Sequence, residues 1–349
     1  MRKPVIHLSG ERGWRGGEIQ LQLLLAHLER NPCDRLFVPR DSELARRLPF
    51  EPVQQVGSLG FHHLGTALAV RSAIKSVAQP VILHAHSSKA VETAILARIG
   101  LDVPLVISRH TAFPVKSAWK YRAATAMIAV SQATRKRLLD AGIWSDRIDV
   151  IPIAVDEAKL EAALVANRPL AVTSGPVVLH AAAFTFEKDH ATLLRAWSVV
   201  ERNVEYATLI LAGDGPLWLQ SQALAKELGL RRVQFAGWVE DIGTLVACCD
   251  LGVLSSRLEG FSIFLCEVQW CGKPVVSTRA GGVSDAVKDG ETGLLSECGD
   301  PDTLANNLLK LITDEDRRAR MGSLAASRAR RLFSPTVMAQ AYERLYSSL

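Results

Sequence analysis

Two glutamates eight residues apart, Glu259 and Glu267, bracket the run Gly260-Phe261-Ser262-Ile263-Phe264-Leu265-Cys266. The first follows the apolar stretch Leu251-Gly252-Val253-Leu254 in a loop, and the second falls on a helix running to about Cys271. Between them the backbone N–H groups of the first helical turn are free to bind an anion or hydroxyls. A loop carboxylate there can accept hydrogen bonds from sugar hydroxyls, and one two turns further on can take both hydroxyls of a ribose. The same spacing also suits a structural role, with Glu267 a buried acid satisfied by backbone donors and Glu259 an N-terminal cap.

Around this pair, apolar runs of strand length alternate with helical patterns. Val5-Ile6-His7-Leu8 is followed by a Gly/Arg-rich loop (Ser9 to Gly17) and a helix from Glu18 to about Arg30; similar units begin at Val81, Leu105 and Ala126. The pattern restarts at Val177-Val178-Leu179-His180 and continues through strands near residues 207–211, 233–235, 251–254 and 274–277. Alternation of this kind implies right-handed crossovers and parallel sheets. The predicted fold is α/β: two facing doubly wound, Rossmann-like domains with a cleft between them, because open sheets bind ligands beyond the carboxyl ends of their strands. The Pro/Gly/Ser-rich stretch from Asn167 to Pro176 reads as the connector. The expected domains are therefore 1–168 and 169–334, with a polar helical tail from Asp300 to Leu332 and a last helix (335–349) returning to the first domain. His84 and His86 flank a strand end, one predicted to turn into the core and the other into the cleft.

Length and composition narrow the function classes. With 349 residues and 48% hydrophobic content the chain can bury two cores. No apolar run reaches the roughly 20 residues of a membrane span, and the N-terminal one is too short for a signal peptide, so a cytoplasmic protein is expected. The six cysteines lack metal-ligand spacing and read as reduced thiols. Net charge is +5, and residues 1–161 hold 22 Lys and Arg against 15 Asp and Glu. This basic half suits a phosphorylated acceptor or peripheral contact with an anionic membrane, as well as a plain solvated surface; no nucleic-acid partner is expected. Arg135-Lys136-Arg137 reads as a solvated helix face and His62-His63 as a surface loop. Gly213-x-Gly215, with Pro216 next, is too short for a dinucleotide fingerprint.

From Ser255 to Leu295 the chain resembles the family 4 glycosyltransferases of the GT-B fold. The match runs through Leu258-Glu259-Gly260-Phe261, Glu267, Gly272-Lys273-Pro274-Val275-Val276, Gly281-Gly282 and Gly290-Glu291-Thr292-Gly293-Leu294-Leu295. Looser similarity covers Ala212-Gly213-Asp214-Gly215-Pro216-Leu217, Phe235-Ala236-Gly237-Trp238-Val239, Val150 to Asp156, Ala129-Val130-Ser131 and Gly16-Gly17-Glu18. The resemblance implies that a sugar moves from a UDP- or GDP-linked donor to a saccharide or lipid-linked acceptor with retention of anomeric configuration. It implies no cofactor and no metal, and a place in cell-envelope polysaccharide or lipopolysaccharide biosynthesis. By the same resemblance Glu259, Gly260, Phe261 and Ser262 bind the donor sugar, Glu267 the ribose, and Trp238-Val239 line the base pocket. Gly16, Gly17 and Gly213 are donor-side, Lys188 neutralises the diphosphate, and His110 faces the reacting carbon. Arg12, Arg15, His86 and Arg109 are acceptor-side candidates.

One position departs from the family pattern. Where members carry Gly-Arg shortly before the lysine, this chain reads Ala181-Ala182-Ala183-Phe184, and Ala183 cannot share the diphosphate charge. Arg12, Arg15, Arg109 and Arg257 are candidate substitutes. A sugar-nucleotide epimerase or hydrolase on the same fold, or a catalytically silent nucleotide-sugar-binding subunit, are the alternative readings.

Overall fold

The computed structural model describes residues 2–48, 53–143, 145–166 and 175–349. The chain forms two compact units: Met1–Ile153 with Pro335–Leu349, and Ala154–Ser334. The chain thus passes between units at Ile153/Ala154 rather than near 168. The helix Glu157–Ala166 explains the difference, because its Leu160 and Leu164 join the core of the second unit. The predicted connector lies, between residues 167 and 174, outside the described residues.

The first unit holds seven strands: β1 (Val5–Leu8), β2 (Arg35–Pro39), β3 (Val53–Val56), β4 (Ile82–Ala85), β5 (Leu105–Arg109), β6 (Ala126–Ala129) and β7 (Ile148–Val150). Their order is β3-β2-β1-β4-β5-β6-β7, every pair parallel. Both faces are buried, as a sheet with helical crossovers requires. On β2, Phe37 enters the core of Leu83, Ile107 and Met127, while its neighbours Leu36 and Val38 meet Leu21 and Leu25 of the helix Gly16–His27.

The second unit repeats the plan with six strands: β8 (Val177–Ala181), β9 (Thr208–Ala212), β10 (Val233–Gly237), β11 (Leu251–Leu254), β12 (Val275–Thr278) and β13 (Gly293–Ser296). The order is β10-β9-β8-β11-β12-β13, again all parallel. Val177 and Leu179 pack with Leu265 and Val268, and Val178 packs on the other face with Leu193, Leu194 and Trp197. In each sheet the strand order reverses once, between β1 and β4 and between β8 and β11. Loops leaving neighbouring strands there go opposite ways and leave a crevice for a ligand.

The strands β2, β3, β7 and β13 escaped the sequence reading. β2 starts with Arg and ends with Pro, β3 and β7 are half-exposed edges, and β13 follows a Gly-rich turn, so none shows a long apolar run. The tail read as one helix is two, Pro301–Thr313 and Glu315–Leu332, because Asp314 breaks the run and caps the second by accepting from Arg317 N at 2.8 Å.

The last helix, Pro335–Ser348, belongs to the first unit. Its Tyr346 hydroxyl lies 2.7 Å from His84 Nδ1, and its Tyr342 hydroxyl 3.4 Å from Ser108 Oγ, both pairs fully buried. Glu343 accepts from the Glu29 backbone N–H at 2.7 Å, tying the last helix to the segment that follows the first. Tyr346→Phe leaves His84 Nδ1 buried without a partner, so the unfolding free energy of this unit should drop by about 1–3 kcal/mol in urea titrations.

Candidate functional site

The loops that follow β8 and β11 hold the lysine and the first glutamate. After β8 the chain turns at Ala182 to Phe184 and reaches Lys188; after β11 it runs through Ser255 and Ser256 to Glu259. Lys188 Nζ lies 2.5 Å from Glu259 Oε1, with Lys188 a quarter exposed and Glu259 buried. Glu259 Oε1 also accepts from Ser256 Oγ at 2.7 Å. The two loops are stapled by more than this ion pair: Ser255 Oγ lies 3.0 Å from both the Lys188 and Asp189 carbonyls, and Arg257 N–H donates to the Glu187 carbonyl at 2.7 Å.

Asp189 is the one non-glycine at positive φ among the described residues, at φ 47°. Left-handed backbone is unfavourable for a side-chain-bearing residue, and Asp tolerates it best because it bonds locally. Here its carboxylate caps the helix His190–Asn203, accepting from Thr192 N at 3.3 Å and Thr192 Oγ1 at 2.7 Å, and pairs with Arg257 at 2.8 Å. The sharp turn sets the lysine beside the glutamate. Behind it His180 Nδ1 meets the Val253 carbonyl at 2.9 Å and must donate, so His180 Nε2 accepts from His190 Nε2 at 3.2 Å. The Phe184 ring stacks on His190 with centroids 3.8 Å apart. Burial lowers the pKa of His180 to about 4 and of His190 to about 2, so both are neutral. Asp189, Ser255 and these histidines lay beyond sequence reasoning because their roles are backbone turns and buried contacts.

Neither of the structural roles set out for the two acids is the one the structure shows. Ser262, not Glu259, caps the helix Ile263–Trp270, accepting from Leu265 N at 3.3 Å. Glu267 lies inside that helix, partly buried, and no described residue hydrogen-bonds its carboxylate. Desolvation raises its pKa to about 7, with Lys159 opposing and Asp156 and Asp241 reinforcing the rise. A carboxylate so perturbed and so unpartnered marks a candidate ligand contact. Phe261 points its ring inward, edge-on to Phe333 at 5.7 Å, which leaves the Gly260–Ser262 backbone as the polar surface of the loop. Gly281, at φ 52°, comes so close to this loop that a Cβ would lie 2.1 Å from the Glu259 carbonyl oxygen, and the next N–H, that of Gly282, donates to it at 3.0 Å.

Other predicted residues of this unit sit at the ends of its strands. Gly213 follows β9 at φ 137°, where a Cβ would meet the Ala182 carbonyl oxygen at 2.0 Å; that alone demands glycine. Trp238 and Val239 follow β10, and the Trp238 ring is 70% exposed. Ala183 carries no charge, and of the four candidate cations only Arg257 lies in this unit, tied to Asp189 and over the Phe186 ring.

In the first unit His110 follows β5. Its ring is buried, neither nitrogen has a partner, and desolvation lowers its pKa to about 4. Gly17, near the start of the helix Gly16–His27, faces that ring, since a Cβ at 17 would stand 3.8 Å from His110 Cδ2. Arg15 precedes the helix, its N–H bonded to Glu18 Oε2 at 3.1 Å. Arg12 pairs with Asp41 at 3.0 Å on the surface. Arg109 donates to Tyr121 Oη at 2.8 Å and to the Phe113 carbonyl, so it is committed within its own unit. His86 lies 3.1 Å from His7 Nδ1. The expectation that His84 and His86 point apart is corrected: residues i and i+2 of a strand share a face, and their ring centroids are 3.9 Å apart.

Comparison with known proteins falls in line with this architecture. Residues 166–328 match the family model of group 1 glycosyl transferases, and residues 14–159 that of glycosyltransferase family 4. The lipopolysaccharide core biosynthesis glycosyltransferase LpsE of Rhizobium meliloti is 30% identical over 251 residues, 69% of each chain. The N-acetyl-alpha-D-glucosaminyl L-malate synthase of Bacillus anthracis is 32% identical over 174 residues, half of this chain and 45% of that one, so the aligned part spans under half of that relative. Among solved structures, HepE of Anabaena in complex with UDP superposes with a TM-score of 0.85 at 25% identity, covering 99% of this chain and 100% of that one. The chain belongs to glycosyltransferase family 4, and its two parallel-sheet Rossmann-like units are those of the GT-B fold. Among the described residues no helix is long and apolar enough to cross a membrane.

Because the folded pKa of Glu267 is raised, it remains protonated as the unfolded chain ionises. Stability is undiminished below about pH 4.5 and declines as pH rises toward 7. Glu267→Gln removes the decline, so urea unfolding of variant and parent should agree at pH 4 and diverge by up to about 3 kcal/mol, the variant more stable, at pH 8.

Proposed function

We propose that the chain is a retaining glycosyltransferase that takes a sugar from a uridine diphosphate sugar and places it on a hydroxyl of a saccharide or lipid-linked acceptor, without a metal ion on the diphosphate. The observation that carries the donor assignment is the Lys188–Glu259 pair at the reversal point of the second sheet. A cation and a carboxylate held 2.5 Å apart supply opposite halves of a donor site: the ammonium meets the diphosphate and the carboxylate accepts from sugar hydroxyls. HepE is crystallised with UDP and with UDP-glucose, which supports uridine as the base. LpsE and its kind support an envelope polysaccharide or lipopolysaccharide as the product.

In this reading Glu267 holds the ribose, Trp238 and Val239 the base, and Gly260, Phe261 and Ser262 present backbone to the sugar. The bond from the anomeric carbon to the β-phosphate breaks while the acceptor oxygen bonds to the same face, and the departing phosphate oxygen takes the acceptor proton. Charge grows on the leaving group, and a cation already in place stabilises it; Lys188 is that cation. His110 is neutral and unpartnered, able to orient the donor sugar by a hydrogen bond or through its carbonyl. The first unit, with its basic excess, takes the acceptor, and any membrane contact is peripheral to an anionic surface.

Ala183 favours a second reading, a silent subunit that binds nucleotide sugar without turning it over. Calorimetric titration with UDP, GDP and ADP tests the donor site that both readings share: selective uptake of UDP supports it, and no uptake of any nucleotide removes the roles of Lys188, Glu259 and Glu267 together; transfer from a UDP sugar, assayed in the parent and in Ala183→Arg, separates the two. With UDP bound, Glu267→Ala should weaken affinity at least tenfold, about 1.4 kcal/mol. Parent affinity should also fall from pH 8 to pH 6, as Glu267 takes up a proton and ceases to accept two hydroxyls. Lys188→Ala should lower turnover more than affinity, and Ala183→Arg should leave the rate of a working enzyme within a small factor but switch on a silent one.

A further inference from the structure

Three imidazoles converge at the reversal point of the first sheet, and the register of the strands makes them do so. His7 on β1 is the Cα partner of His84 on β4. His86, two residues beyond His84, leaves the same face of its strand. His7 Nδ1 and His86 Nε2 stand 3.1 Å apart, and one ring nitrogen from each of the three residues lies within 4.8 Å of the other two. His7 and His84 are fully buried and His86 is partly so. His7 Nε2 is buried without any partner, which leaves this cluster short of one polar contact.

We propose that His7, His84 and His86 form a binding site for a borderline divalent transition-metal ion of the zinc, cobalt or nickel class. An H-x-H pair at the end of one strand joined by a histidine from the neighbouring strand in register is a three-imidazole set with a position left open, which such ions accept at about 2.0–2.1 Å per nitrogen. Two nitrogens on a tetrahedral ion of that size stand about 3.3 Å apart, close to the His7–His86 separation. The proton now shared between those nitrogens moves to an outer ring nitrogen, so the ion enters with no net change in protonation of the pair. Neutral imidazole is the form that ligates, and desolvation holds all three in it.

His84 supplies the supporting contact such ligands need. One of its ring nitrogens turns to the ion, and the other keeps its bond to Tyr346 Oη (2.7 Å) or Ser108 Oγ (2.8 Å). The three-nitrogen set contains no carboxylate, which disfavours magnesium and calcium. A bound ion would clamp β1 to β4 and, through Tyr346, hold the C-terminal helix. The site shares no residue with the donor assignment and stands or falls without it.

Cobalt(II) tests the site without any glycosyl transfer. The full chain, stripped with a chelator and titrated with cobalt chloride, should develop the visible bands of a low-coordinate nitrogen site that saturate at one ion per chain. Its thermal midpoint should rise with cobalt and with zinc. His86→Ala, at the most exposed of the three positions, should weaken uptake by more than about tenfold, whereas the double variant His62→Ala/His63→Ala in the exposed loop should bind as the parent does. His7→Gln serves where His86→Ala fails to fold. A spectrum that stays that of the aqueous ion, or uptake that survives loss of His86 and His7, or uptake that depends on His62 and His63, overturns the proposal.

Discussion

The parallel pairing of β1 with β4 and of β8 with β11 is the constraint on which both candidate sites depend. A strand that begins a sheet has its next neighbour in sequence on one side and a later strand on the other, so the loops leaving the central pair must diverge. In the second unit that divergence brings Lys188 from one loop to Glu259 of the other, and the buried Ser255 hydroxyl and the left-handed Asp189 hold the lysine segment in place. In the first unit the same geometry sets His7 beside His84 and leaves the loop before Gly17 facing His110. Neither arrangement requires rare residues. It requires that neighbouring strands keep their register.

Desolvation is the second force that shapes these places. Each buried imidazole must give up water, and the structure answers by keeping it neutral rather than by pairing it with an acid. His180 and His84 have both ring nitrogens satisfied, whereas His110 has neither and His7 has one. Satisfied histidines belong to the packing behind the site; unsatisfied ones at strand ends have hydrogen-bonding capacity to give to a ligand. Glu267 follows the same logic with opposite sign, since burial favours its uncharged form and a pair of donor hydroxyls would relieve the penalty.

Membership of glycosyltransferase family 4 is broad enough to leave the individual reaction to local detail, and Ala183 is such a detail. Of the four arginines named as substitutes for a cation there, Arg12 and Arg109 are held by partners in their own unit, Arg15 stands at the start of the helix Gly16–His27 in that unit, and Arg257 is bonded to Asp189 next to Lys188. In the proposed donor site the diphosphate charge would rest on Lys188, on helix N-termini and on whatever Arg257 contributes once Asp189 shares it. A leaving group stabilised by one lysine is a tighter constraint on rate than on binding, because the extra charge appears only as the bond breaks.

Nine of the strands, most helices and the two-sheet plan were legible in the residues themselves, since buried parallel strands write themselves as short apolar runs between glycine-rich loops. The E-x7-E spacing, the glycines and Lys188 were legible too, through the family they resemble. Position relative to other segments was not. That Glu259 meets Lys188 while Ser262 does the capping, that helix Glu157–Ala166 packs with the second unit, and that His84 and His86 share a face with His7 depend on contacts between residues far apart in the chain. Apolar periodicity reports which face of an element is buried; it carries no record of which distant element does the burying, and only the folded register supplies it.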